Sequence, residues 1–386
     1  PWAPEHRLVR IGLLGRAPDR ERPRAKNLVF LVDVSGSMKA ADKLPLVQRS
    51  LRLLVDELAP ADRVALVVYA GSSGLVLDST PVAQRGRILA AIEGLAAGGS
   101  TNGGSGIQLA YATARKHLDP EGVNRVVLAT DGDFNVGVTD RGDLLRLIAR
   151  EAESGVFLSV LGFGTGNLKD GTMEQLADRG NGNYAYVDTL AEARKVLVRE
   201  LDGTLETIAK DVKIQVEFNP AEVASYRLIG YENRRLAARD FDDDRKDAGE
   251  IGAGHTVTAL YEVVPVGAEQ ATERPLRYQE RAPRPAALSR ELLTVQLRYK
   301  QPAGTTSELL SVPFTDGGGA FEAADDDLRF ATAVAAFGLC LRDSEHRGSA
   351  TLSDVYRWAK DALGADPHGD RREFLKLVDV ARGLGR

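Results

Sequence analysis

From residue 27 to residue 203 the chain alternates short runs of Val, Leu and Ile with longer amphipathic stretches. The apolar runs predict strands at 27–34, 62–70, 74–78, 123–130, 156–162 and 183–187. The stretches between them predict helices at about 43–58, 82–95, 104–118, 141–154, 171–179 and 189–206. Strands that are apolar throughout, separated by helices of this length, belong to a mainly parallel sheet covered on both faces. The expected fold is a doubly wound, Rossmann-like α/β domain, with the 62–78 pair forming a hairpin at one edge.

Beyond residue 207 the period shortens to two. Segments 211–218, 225–231, 255–264, 291–300 and 307–314 alternate apolar and polar positions between Gly, Pro and Asn, which predicts an antiparallel β-sandwich. A strand pattern at 6–16 has no partner before it. Domain termini tend to lie close together, so this strand is expected to join the sandwich and make the α/β domain an insertion. From residue 325 the helical period returns, at 325–342, 351–363 and 370–383, after the cap-like sequence ADDD. The predicted organisation is therefore a strand in 1–22, an α/β domain over 23–206, a β-sandwich over 207–322 and a helical segment over 323–386.

Composition narrows the function classes. The 386 residues are 43% hydrophobic and 27% charged, ordinary for a soluble globular protein of two or three units. No apolar run is long enough to cross a bilayer. A net charge of -5 with interspersed signs offers no basic face for a phosphate backbone and argues against nucleic acid as a partner. The one cysteine, Cys340, lies in AVAAFGLCL and reads as a small core residue. The chain begins at Pro1, so upstream sequence is expected to have been removed.

The chemistry gathers in three loops that should open on the carboxyl edge of the sheet, where open α/β sheets bind ligands. These are DVSGS after the 27–34 strand, AGGSTNGGSG before the 104–118 helix and ATDGDFN after the 123–130 strand. Together they present two carboxylates, Asp33 and Asp131, and three hydroxyls, Ser35, Ser37 and Thr101. This all-oxygen set suits a hard divalent cation and, with only two acids, leaves it able to accept another carboxylate.

The DxSxS motif, the Thr of GGST and the Asp of TDG resemble the von Willebrand factor type A domain over about residues 27–206. In that family these positions form a metal-ion-dependent adhesion site. The resemblance implies that Ser35, Ser37 and Thr101 reach Mg²⁺ directly or through one water, with Mn²⁺ or Ca²⁺ as substitutes. Asp33 and Asp131 would act largely through water, and an Asp or Glu of a partner protein would complete the coordination. The wider order of elements, with RLIGYENR after the domain and a helical tail, is similar to the bacterial YfbK-like subgroup of predicted lipoproteins. That likeness implies export to the cell envelope and a lipid anchor.

Simpler readings stand beside these. DVSGSM can cap a helix or form an Asx turn. GFGTGN at 162–167 lacks the spacing of a phosphate loop and reads as a tight turn. DFDDDRKD at 240–247 lacks the Gly and Glu of a calcium loop, and Asp133 and Asn135 shape their loop rather than bind metal. No His or Cys spacing suggests zinc, and Ser72 and Ser73 have no evident base. The function expected is a non-enzymatic, metal-dependent protein-interaction module. The alternatives are a Mg²⁺-dependent phosphohydrolase using Asp33 and an envelope scaffold whose metal site is not used.

Overall fold

The computed structural model describes residues 1–17, 24–70, 73–98, 103–132, 141–165, 169–200, 205–230, 241–243, 248–268 and 290–385. After an opening strand, β1 (Arg7–Leu14), the chain builds a six-stranded sheet. Its strands are β2 (Lys26–Asp33), β3 (Arg63–Tyr69), β4 (Ser73–Pro81), β5 (Val123–Thr130), β6 (Phe157–Phe163) and β7 (Tyr184–Val187). They lie in the order β4-β3-β2-β5-β6-β7, all parallel except β4, which pairs antiparallel with β3 at one edge.

The strand sequences explain the two layers of helix. Successive residues of β2 point to opposite faces, and both faces are apolar. Leu28, Phe30 and Val32 pack with Leu51 and Leu54 of α1 (Leu44–Glu57) and Ile88 of α2 (Arg85–Glu93). Val29 and Leu31 face the other way, toward Ile107 and Tyr111 of α3 (Gly103–Lys116), Ile148 of α4 (Arg141–Glu153) and Leu176 of α5 (Asp170–Arg179). Within the final helix expected at 189–206 the described residues form α6 (Leu190–Arg194), which runs into a π-helical turn, Lys195–Arg199, and residues 201–204 lie outside the described residues.

The second half adds β8 (Thr207–Phe218), β9 (Val223–Ile229), β10 (Gly249–Gly252), β11 (Thr256–Pro265), β12 (Leu293–Lys300) and β13 (Ser307–Phe314). They form two antiparallel sheets, β1-β11-β9 and β10-β8-β12-β13. β1 pairs along its whole length with β11, from Arg7 opposite Val263 to Leu14 opposite Thr256. Val9, Tyr261 and Val263 of the first sheet share an apolar cluster with Phe218, Leu293 and Val295 of the second. Three helices follow, α7 (Asp326–Leu341), α8 (Leu352–Asp361) and α9 (Asp370–Gly383). Asp325 caps α7 by accepting the Leu328 N–H at 2.7 Å, and Thr351 with Asp354 forms a capping box on α8. Leu339, Val355 and Val378 of these helices pack on Ile229 and Leu260. Cys340 lies half-buried among them, its Sγ donating to the Ala350 carbonyl at 3.6 Å. Among the described residues no helix is long and apolar enough to cross a membrane.

A buried arginine joins the halves. Arg125, near the start of β5, donates to Ser159 Oγ on β6 at 2.7 Å and to Thr207 Oγ1 on β8 at 3.1 Å.

Candidate metal centre

In the parallel sheet the chain turns one way from β2 to β3 and the other way from β5 to β6. The strand order therefore reverses between the carboxyl ends of β2 and β5. Asp33 is the last residue of β2, and Asp131 follows β5 directly. Parallel pairing of β2 with β5 places these two acids side by side at the switch point, both buried.

Each acid is held by its surroundings. Asp33 Oδ1 accepts the Ser35 N–H at 2.8 Å, an Asx turn that folds the chain back over the strand end. Its Oδ2 accepts Thr130 Oγ1–H at 3.4 Å, and Thr130 Oγ1 in turn accepts the Gly132 N–H at 3.2 Å. Val34 donates to the Tyr69 carbonyl at 3.0 Å, while Gly98 donates to the Val34 carbonyl at 2.7 Å. The β3 end and the approach to the second loop are thus both tied to the Asp33 turn.

Ser35 is buried and Ser37 exposed, with their Oγ atoms 3.0 Å apart. The segment Gly36–Lys39 is a short 3-10 turn whose Met38 is fully buried, and this anchor fixes where the two serines stand. Ser35 makes no side-chain cap bond to the turn, and α1 starts later, with Lys43 at its N-cap and Pro45 in its first turn. The Asx turn is therefore present but the helix cap is not, and both serine hydroxyls remain with the site. Thr101, Asp133 and Asn135 lie outside the described residues, as do Ser72 and residues 166–167 of the GFGTGN turn.

Burial raises the Asp33 carboxyl above its usual range, the bonds from Ser35 oppose that, and the neighbouring Asp131 charge pushes it further up. Tyr69, opposite Asp33 in register, is held far above the usual phenol range by burial first and by Asp33 second. Two buried acids that disfavour each other's charge, beside two hydroxyls, are an anionic oxygen site suited to a cation. Among the described residues no group of three or more His, Cys, Asp or Glu is assembled as a metal site, so a divalent ion here would rest on two carboxylates and hydroxyls.

The cation the structure itself places there is Lys43. Its Nζ donates to Asp131 Oδ2 at 2.8 Å. What selects Lys43 is Gly164 at the end of β6, whose φ of +79° and missing Cβ leave the channel along which the lysine stem runs. No pattern within one loop could have shown this.

Residues 27–199 match the family described as von Willebrand factor type A domain. The mostly parallel sheet lies within these residues. This half of the chain is a von Willebrand factor type A domain. Residues 203–384 match the family described as uncharacterized protein YfbK, C-terminal. Over 385 residues the chain is 44% identical to the uncharacterized protein YfbK of Escherichia coli, covering 100% of this chain and 66% of that protein. It is 34% identical over 159 residues to human inter-alpha-trypsin inhibitor heavy chain H4, covering 38% of this chain and 17% of that one. Among solved structures, a von Willebrand factor type A protein from Catenulispora acidiphila aligns over 96% of this chain and 88% of its own, with 15% identity and a TM-score of 0.47. The chain thus spans two thirds or less of these curated relatives' length.

Proposed function

We propose that this protein is a non-enzymatic interaction module that binds an Asp or Glu of a partner protein through a divalent cation, Mg²⁺ in the first instance. The observation that carries the reading is the meeting of Asp33 and Asp131 at the switch point with the Ser35 and Ser37 hydroxyls 3.0 Å apart beside them. Asp33, Ser35, Ser37 and Asp131 would hold the ion, with Thr101 from the second loop. The ion supplies an electrophilic centre that accepts a carboxylate. The two antiparallel sheets and the C-terminal helices serve as a sandwich-like scaffold that presents the domain, in a bacterial cell envelope. A pull-down from the native envelope tests this directly. Capture of the partner should be lost with EDTA and with Asp33→Ala or Asp131→Ala, and capture that survives all three sinks the proposal.

A phosphohydrolase reading gains one point from Lys43, a basic group able to face a phosphoryl oxygen. It loses more. The Oδ1 of Asp33 already accepts a backbone N–H, and a hydroxyl, Ser35, stands where a general acid is needed. Phosphatase turnover that disappears in Asp33→Asn would restore it.

A further inference from the structure

The contact between Lys43 and Asp131 has a consequence for what the site accepts. The Asp131 side chain is fully buried and that of Lys43 is 12% exposed, so this ion pair is shielded from solvent. The lysine is also fixed at both ends. Its backbone N–H bonds to the Ala40 carbonyl at 3.0 Å, and its own carbonyl accepts the Val47 N–H at 2.9 Å at the head of α1. A Cβ on Gly164 would lie 2.5 Å from Lys43 Cε and 2.6 Å from Cγ, so the stem is laid against bare glycine backbone and aimed at the acid.

We propose that Lys43 is a tethered cation that sets the charge of the metal centre, so that the centre reaches neutrality only when an anionic partner group joins it. This rests on the reading of the site given above. Without Lys43 the two carboxylates already balance the charge of a divalent ion, so a further carboxylate, though able to coordinate, leaves the assembly negative. With Lys43 the same assembly carries one positive charge in excess, which a single carboxylate from outside cancels. Lys43 therefore weakens the binding of metal alone and makes a carboxylate ligand more valuable. It is a specificity-determining residue that needs no contact with the partner.

The experiment is titration of the whole chain with Mn²⁺, followed by the electron paramagnetic resonance of the free ion, with and without excess acetate. Removing a positive charge this close to the ligands should tighten Mn²⁺ binding by about tenfold or more even after screening. Lys43→Met and Lys43→Gln should both show that gain, while Lys43→Arg stays near the wild type. Acetate should tighten Mn²⁺ binding more in the wild type than in Lys43→Met. Equal or weaker Mn²⁺ binding in both neutral variants, with thermal melts confirming that they are folded, overturns the proposal, as does an equal acetate effect. If the wild type binds Mn²⁺ no better than Asp33→Ala does, the metal centre itself is refuted and this inference falls with it.

Discussion

At the scale of single residues, the centre depends on close packing as much as on ligands. Asp33 sits opposite Tyr69 in the β2–β3 register, and Gly106 of α3 presses against that tyrosine. A Cβ at Gly106 would fall 2.8 Å from Tyr69 Cβ, an atom bonded to the backbone, and 3.3 Å from Cδ1 of the fully buried Leu31. Gly106→Ala should cost about 1–3 kcal/mol through overpacking. Because Tyr69 is the β3 residue paired with Asp33, the substitution should also weaken Mn²⁺ binding. A lower melting temperature with unchanged metal affinity would separate the packing from the site. The candidate oxygen donors are legible in the sequence because their types and order suit a hard cation: an acid ending an apolar run, two alternate serines, then a second acid after another such run. Lys43 and Gly106 are not, since a lysine before a helix or a glycine within one has meaning only through what lies across from it in space.

At the scale of elements, β1 shows how a segment that reads as an isolated strand is held. Its partner β11 carries Glu262, nearly buried, which accepts Trp2 Nε1–H at 3.0 Å, lies 2.7 Å from His6 Nδ1 and pairs with Arg227 of β9. Burial would raise the Glu262 carboxyl, but the bonds from His6, Arg227 and Trp2 outweigh it and hold the group below its usual range. A depressed acid stabilises the fold above the ordinary carboxylate range, and the contribution is lost as pH falls through the lowered value. Glu262→Gln should therefore cost about 2 kcal/mol at neutral pH. It should also flatten the loss of stability on acidification, as read from urea midpoints at about pH 7 and about pH 3. Parallel curves for the two proteins would remove Glu262 from the account. Strong periodicity makes most elements readable. β10 escapes it because its sequence, GEIG, has two glycines and a glutamate and becomes a strand only by pairing with β8. Within the helix expected at 189–206, a continuous helical pattern does not reveal that the backbone widens into a π turn at Lys195–Arg199.

At the scale of the whole molecule, Arg125 ties the two halves at the end of β5 away from the candidate metal centre. Arg125 lies six residues before Asp131 on the same strand, about 20 Å along an extended chain, so the tie to Thr207 and the carboxyl-edge site sit at opposite ends of β5. Among the described residues several contacts span the halves, the bond from Thr207 Oγ1 to the Asn181 carbonyl at 3.3 Å among them. Arg199 pairs with Asp370 of α9 through two bonds of 3.1 and 3.2 Å, but Asp370 is half exposed and such pairs contribute about 0–1 kcal/mol. Arg125 is fully buried, and burial lowers its guanidinium to about 10 while the Glu250 charge pulls it back up. Loss of Arg125 leaves the buried hydroxyls of Ser159 and Thr207 without their donor, at about 1–3 kcal/mol each, so Arg125 should outweigh the exposed pair in the coupling. Arg125→Leu is expected to split one calorimetric unfolding transition into two and to expose the chain near residue 205 to limited proteolysis. Arg199→Ala should do neither. Mn²⁺ affinity should be unchanged in Arg125→Leu, because the site is carried by strand ends on the far edge. A single transition in Arg125→Leu, or a metal affinity that falls with it, would mean that the halves are joined by their apolar contacts and that the site is sensitive to how the second half docks.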